Sequence, residues 1–163
     1  DSDSSFEGRL VSGRAFEKTW ISTPLNIEKY GDIRWKMRKG EAGFVCLDNR
    51  THRGPKGTQV LGANQLKWLE ETLREYEDMR VVFIAIGSQV LNSARVYENY
   101  SRFPEERNKL LDICSRTRSQ IVFLTGDRHH GEINEKAYKN LYFIDISSSP
   151  LSSSSHLPFK QEL

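Results

Sequence analysis

The chain has four histidines, and two of them are adjacent. Residues 125 to 132 read TGDRHHGE, directly after the apolar run QIVFL. Asp127 and His129 stand two apart on an expected extended turn, so a carboxylate and an imidazole can face one cleft. Carboxylate oxygen with imidazole nitrogen suits Zn, Mn or Fe. The competing interpretation is an ordinary polar turn in which Asp127 caps backbone amides and the histidines face solvent. Gly126 before it, His130 beside it and a strand leading in favour the metal. One ion shared by Asp127, His129 and His130 is disfavoured, because consecutive residues on an extended chain point apart.

A second group follows the run GFVCL: Asp48-x-Arg50, then His52 and Arg53. An arginine fork suits a phosphate oxyanion. An Asp–Arg ion pair pinning a loop explains the same residues equally well. Ser88 and Gln89 follow a third apolar run, where they can reach a metal water or a substrate, or else cap a loop. Trp20, Trp35 and Trp68 are expected in the core.

These groups need a frame to bring them together, and the apolar pattern supplies one. Short apolar runs predict strands over 33–38, 43–47, 81–86, 121–125 and 141–146. GEINEKAY pairs with the last of these through a turn at Lys139-Asn140. Leu66, Leu69, Leu73 and Tyr76 share one face of a predicted helix over 64–78. Pro104, with Glu105 and Glu106 beside it, opens a second helix over 104–117. Strand, helix, strand, helix, strand makes two crossover units, hence three parallel strands ending at one edge of an α/β sheet. Ligands bind beyond the carboxyl ends of such strands, where the polar groups gather. The core spans 31–151, after an irregular lead-in over 1–30 and before a tail over 152–163.

Composition agrees with one globular domain. Of 163 residues, 37% are hydrophobic and 28% charged, and the net charge of +2 is too balanced to indicate nucleic-acid binding. No run approaches the ~20 apolar residues of a membrane span. Cys46 and Cys114 make no disulfide framework and are expected as buried thiols. Asn49-Arg50-Thr51 and Asn99-Tyr100-Ser101 match the short glycosylation pattern, and the final KQEL differs from an ER-retrieval signal at one position. The chain does not begin with methionine, so residue 1 is not taken as a translation start.

Taken in order, LDNRTHR, LGANQLKWLEETL, IGSQVL, ENYSRFPEERNKLLDIC, IVFLTGDRHHGEI and LYFIDISSSPL resemble the C-terminal half of a PhoD-like metallophosphatase of the alkaline phosphatase D type. That family lies within the calcineurin-like metallophosphoesterase superfamily. The resemblance runs from about Ile33 to Leu151, and its specificity lies in the series. It implies a partial metallophosphoesterase sandwich, with a parallel βαβαβ core and a β-hairpin before and after it.

The same resemblance implies hydrolysis of phosphomonoesters or phosphodiesters by a metal-bound hydroxide, with two ions drawn from Fe, Ca, Zn or Mn. By position it matches Asp127 and His129 to a metal-ligand motif and Arg50 to a phosphate clamp; Asp48 and Gln89 are expected to join Arg50 in binding substrate, and His130 to join it in catalysis. It also implies a periplasmic or secreted location. Where the wider superfamily carries another histidine ligand, this chain has Gln89. The upstream ligand motifs of the superfamily do not precede residue 44 in their usual form, and Gly31-Asp32 imitates one only superficially. The expectation is therefore a half-domain that needs a missing N-terminal half and is inactive alone. The alternative is a non-catalytic phosphate- or metal-binding module on a phosphatase-derived fold.

Overall fold

The computed structural model describes residues 3–20, 27–54, 58–155, 157, 158 and 160. Its centre is a six-stranded sheet. In chain order the strands are β1 (Trp35–Lys39), β2 (Ala42–Cys46), β3 (Val81–Ala85), β4 (Gln120–Thr125), β5 (Glu132–Tyr138) and β6 (Leu141–Ser147). They lie in the order β1-β2-β3-β4-β6-β5. β2, β3, β4 and β6 run parallel, and each outer strand is antiparallel to its neighbour. The expected parallel core and both flanking hairpins are present, with β6 as a fourth parallel strand.

The crossover helices α3 (Gly62–Glu75) and α4 (Pro104–Cys114) cover one face. Leu66, Leu69 and Leu73 of α3 and Leu110 and Leu111 of α4 are buried with Val45, Val82, Ile84, Ile121, Phe123 and Phe143 of the sheet. α3 ends three residues before the predicted position because Tyr76 turns onto the sheet. A Cβ on Gly43 would lie 2.4 Å from the Tyr76 ring, so only glycine allows this approach. The predicted favourable dipole position of Glu106 has a further use: its carboxylate accepts the amides of Val60 and Leu61 and the hydroxyl of Tyr100. That clasp ties the start of α4 to the start of α3.

The opposite face is also apolar. The register aligns Met37, Phe44, Phe83, Val122 and Ile144 across five strands. A second row runs through Cys46, Ala85, Leu124, Ile146 and Ile133. Most central members are half-buried, whereas Met37, Tyr142 and Ile133 are 37%, 48% and 68% exposed. Sheets of parallel strands ordinarily have both faces covered.

The lead-in departs from the irregular segment expected. It holds the helices α1 (Arg9–Trp20) and α2 (Ile27–Tyr30). α1 buries only Gly13 among its described positions and leaves Leu10 and Val11 exposed, so no apolar stripe marks it in the sequence. Trp68 is buried and Trp35 half-buried, while the Trp20 side chain lies outside the described residues, as do 161–163 of the KQEL tail. Both asparagines of the glycosylation patterns are buried, Asn49 donating to Ser88 and Asn99 to the Ala94 carbonyl. Cys46 and Cys114 are free thiols. No helix among the described residues is long and apolar enough to cross a membrane.

Candidate active site at the carboxyl edge of the sheet

The loop after β2 is built around Asp48. Its Oδ1 accepts the amides of Arg50 and Thr51, and its Oδ2 accepts the Ile33 amide and the Thr51 hydroxyl. Gln65 of α3 holds the same residue by its backbone, accepting from the Asp48 amide and donating to the Asp48 carbonyl, both at 2.8 Å. Asp48 therefore braces the loop from beneath through both of its carboxylate oxygens. Arg50 does not pair with it. The Arg50 guanidinium reaches Glu98, in the segment after β3. Asp32, likewise buried, accepts from Arg34 and contacts His52 Nε2 at 2.6 Å, so the Gly31-Asp32 pair is structural.

The turn after β4 is not extended. Asp127 and His129 both adopt left-handed backbone, with φ of 74° and 55°. Such conformations are uncommon outside glycine, although Asp and His adopt them more readily than most residues. Between the two, Arg128 is buried, with its guanidinium 4.6 Å from the Tyr97 ring centroid. Arg128 thus anchors the turn inward, while Asp127 is exposed and His129 half-exposed. Positive φ at a non-glycine residue stores local strain that the surroundings must hold.

His130 turns inward instead. Its Nε2 meets Glu132 Oε2 at 3.0 Å. Glu132 also accepts from Gln89 at 2.5 Å, Asn92 at 2.7 Å and Asn134 at 2.6 Å. Burial raises the Glu132 carboxyl, but these four bonds outweigh it and hold the group below the ordinary glutamate value. Gln89 is buried and donates to Ser147 as well, while its Oε1 makes no hydrogen bond among the described residues. Gln89 and His130 thus join one network around Glu132, with one buried acceptor left uncommitted. Next to them, Asp145 accepts the Val90 and Leu91 amides and the Thr125 hydroxyl. Its burial pushes that carboxyl above the usual value.

Sequence reasoning named Arg53 only as following the Asp48-x-Arg50 group and did not single out Glu98. Arg53 is buried, 3.5 Å from Glu98 Oε2, and close enough to Asp127 for the two charges to interact. Burial lowers the Arg53 guanidinium below its ordinary value, against the pull of Glu98. Its only sequence signal is a position three residues after Arg50. The arginine loop and the Asp127–His129 turn therefore meet at the shared carboxyl edge of β2, β3 and β4. A cavity of about 320 Å³ opens between α1 and this loop, lined by Phe6, Phe16, Ile33, Leu47 and Arg50. A larger cleft of about 650 Å³ lies between α3 and α4 at the opposite edge, lined by mixed charges such as Glu70, Arg74 and Arg116.

Among the described residues, no group of three His, Cys, Asp or Glu side chains stands close enough to hold an ion. The pair that remains suits one in type. His129 Nδ1 faces the Ser154 carbonyl at 3.1 Å, the bond that orients a metal-binding imidazole and leaves Nε2 for the ion.

A sheet with four parallel strands, carrying an arginine loop and an acid–histidine turn at one edge, fits a partial phosphoesterase-like α/β fold. The family model for the PhoD-like phosphatases matches residues 20–162, and the chain belongs to that family. This supports a phosphatase-related function of the hydrolase class. A search of curated proteins finds no significant match.

Proposed function

We propose that this chain supplies the distal part of a metal-dependent phosphoesterase site acting on phosphomonoesters or phosphodiesters. The observation that carries this reading is the position of Asp127 and His129, directed outward on either side of buried Arg128, beside the arginine loop. Asp127 and His129 would ligate an ion through a carboxylate oxygen and Nε2. Bound ions, two in the complete site and drawn from Fe, Ca, Zn or Mn, would supply an activated water and neutralise charge developing on the phosphoryl group. Arg50 would orient that group through its guanidinium fork. Glu132 holds His130 and Gln89 beneath the site, which fixes the floor on which the turn rests.

The remaining ligands would come from an N-terminal half of the same domain, docked on the apolar face of Phe44, Phe83, Val122 and Ile144. The contiguity of that face and the two-residue donor set support this reading. A non-catalytic phosphate- or metal-binding role is favoured by the same short donor set. The two separate on one experiment: hydrolysis of p-nitrophenyl phosphate and bis-p-nitrophenyl phosphate by this chain joined to an upstream half, with Mn, Zn, Ca or Fe added. Metal-dependent turnover establishes the enzyme, and binding without turnover establishes the module.

A further inference from the structure

Two guanidinium groups converge on one carboxylate at the mouth of the site. Arg50 Nη2 pairs with Glu98 Oε2, and Arg53 Nη1 stands 3.5 Å from the same oxygen. The Arg53 side chain is only 9% exposed, and its Nη1 makes no hydrogen bond among the described residues. A buried guanidinium nitrogen without a well-formed acceptor is costly, and a bound anion is one partner that relieves the cost. The group is also held firmly in place. Its guanidinium lies 5.1 Å from the Phe103 ring centroid, and its backbone amide donates to the Arg50 carbonyl.

Glu98, by contrast, rides on a strained segment. Its neighbour Tyr97 has φ of 41°, a left-handed conformation that strains an aromatic residue. Arg102 Nη1 donates to the Tyr97 carbonyl at 2.8 Å, and Arg128 lies over the Tyr97 ring, so the strain is held by side chains. The Glu98 and Arg50 side chains are 24% and 33% exposed, while the Glu98 Oε2 that both guanidinium groups approach is itself buried.

We propose that Arg50 and Arg53 form a cradle for a phosphoryl anion, and that Glu98 fills it until a phosphate group displaces the carboxylate. The inference rests on the phosphoesterase reading for its ligand class. The charges agree with the exchange: Arg50 and Arg53 both pair with Glu98, and a phosphoryl dianion would meet the two guanidinium groups with two charges where Glu98 meets them with one. A phosphate oxygen fork can also offer separate acceptors to the two arginines, whereas Glu98 presents both with the same oxygen. Asp127, close to Arg53, sets the cradle beside the candidate ligand turn. Arg53 is thus a second anion-binding residue, and Glu98 an internal competitor that raises the phosphate concentration needed to occupy the site.

The test uses this chain, treated with chelator and titrated with inorganic phosphate by calorimetry and by the arginine side-chain resonances. Glu98→Gln should tighten phosphate binding about tenfold, the expected scale for removing one charge competitor. Arg53→Lys in that background should abolish the gain, since a point charge does not replace the fork. A matched thermal melt reports whether the buried variant still folds. If it does not, the Arg53 resonances of the Glu98→Gln chain decide: they must shift on phosphate addition. Equal affinity in Glu98→Gln and wild type overturns the proposal, as do Arg53 resonances that ignore phosphate. The experiment is metal-free and reads no turnover, so a failed hydrolase assay leaves the cradle standing, and an empty cradle leaves the hydrolase reading standing.

Discussion

His129 Nδ1 and the carbonyl oxygen of Ser154 lie 3.1 Å apart, across the mouth of the β4 turn. A carbonyl only accepts, so this contact selects the tautomer protonated on Nδ1 and leaves the Nε2 lone pair for a ligand. The serine-rich tail after β6 therefore orients a candidate metal ligand. Truncation after Pro150 should weaken Mn or Zn binding by about 10- to 100-fold, the usual effect of losing such a support. Thermal stability should change little, because Leu151 to Ser155 are exposed. Isothermal titration of both chains checks this, and unchanged affinity would refute the orienting role.

Glu132 and Asp145 are neighbouring carboxylates displaced in opposite directions. The Glu132 value is lowered, so its stabilising effect is complete above its ordinary 4.5 and is lost as pH falls through the lower folded value. Asp145 is raised, so its contribution favours folding below 3.8 and is lost as pH climbs through the higher folded value. Glu132→Ala should cost about 1–3 kcal/mol at neutral pH, because buried donors on Gln89 and Asn92 lose their acceptor. Asp145→Asn keeps an oxygen for two amides and removes a buried charge, so it should melt within about 1 kcal/mol of wild type. Urea melts from pH 3 to 8 resolve both effects, and a large loss in Asp145→Asn would contradict the sign assigned to that group.

Much of this frame was legible in the sequence. The β2–α3–β3–α4–β4 order follows from short apolar runs alternating with amphipathic segments, since burial on one face imposes those periods. Bringing Arg50 and Asp127 to one edge followed from the crossovers alone. The inward turn of Gln89 and His130 was not legible, because a polar residue after a strand has the same signature whether it braces a loop or binds a ligand. The pairing of Arg53 with Glu98 escaped for another reason. Their meeting depends on how two loops 45 residues apart fold over each other, and no periodicity encodes that.

The apolar face makes a separate demand. Phe44 and Phe83 stack at 5.2 Å between centroids in the middle of a row that continues through Val122 and Ile144. Phe83→Lys should leave the melt within about 1–2 kcal/mol, because Phe83 is half-exposed and outside the buried core. It should also reduce self-association of the isolated chain, as charge does on an exposed sheet. The same substitution should block activation by an added upstream half. Sedimentation velocity measures the first effect and a mixing assay the second. A variant that is still activated by the added half would show that this face is not where the half docks.

Turnover is the most direct test. The isolated chain should hydrolyse neither a mono- nor a diester at a useful rate, since catalysis of this type needs a preorganised set of ions and two donors hold an ion loosely. In a joined protein carrying the further ligands, His129→Ala should lower kcat/KM by about 10²-fold or more, whereas a surface group would change it little. Arg50→Ala should act mainly on KM if the arginine binds substrate and transition state alike, and on kcat if its fork engages only as charge develops. Assays with p-nitrophenyl phosphate and bis-p-nitrophenyl phosphate under Mn, Zn, Ca and Fe separate these cases. Robust metal-dependent activity from residues 1–163 alone would disprove the half-site reading, because these residues would then hold every ligand the reaction needs. A fully active His129→Ala would remove His129 from the ligand set and leave Asp127 without its partner.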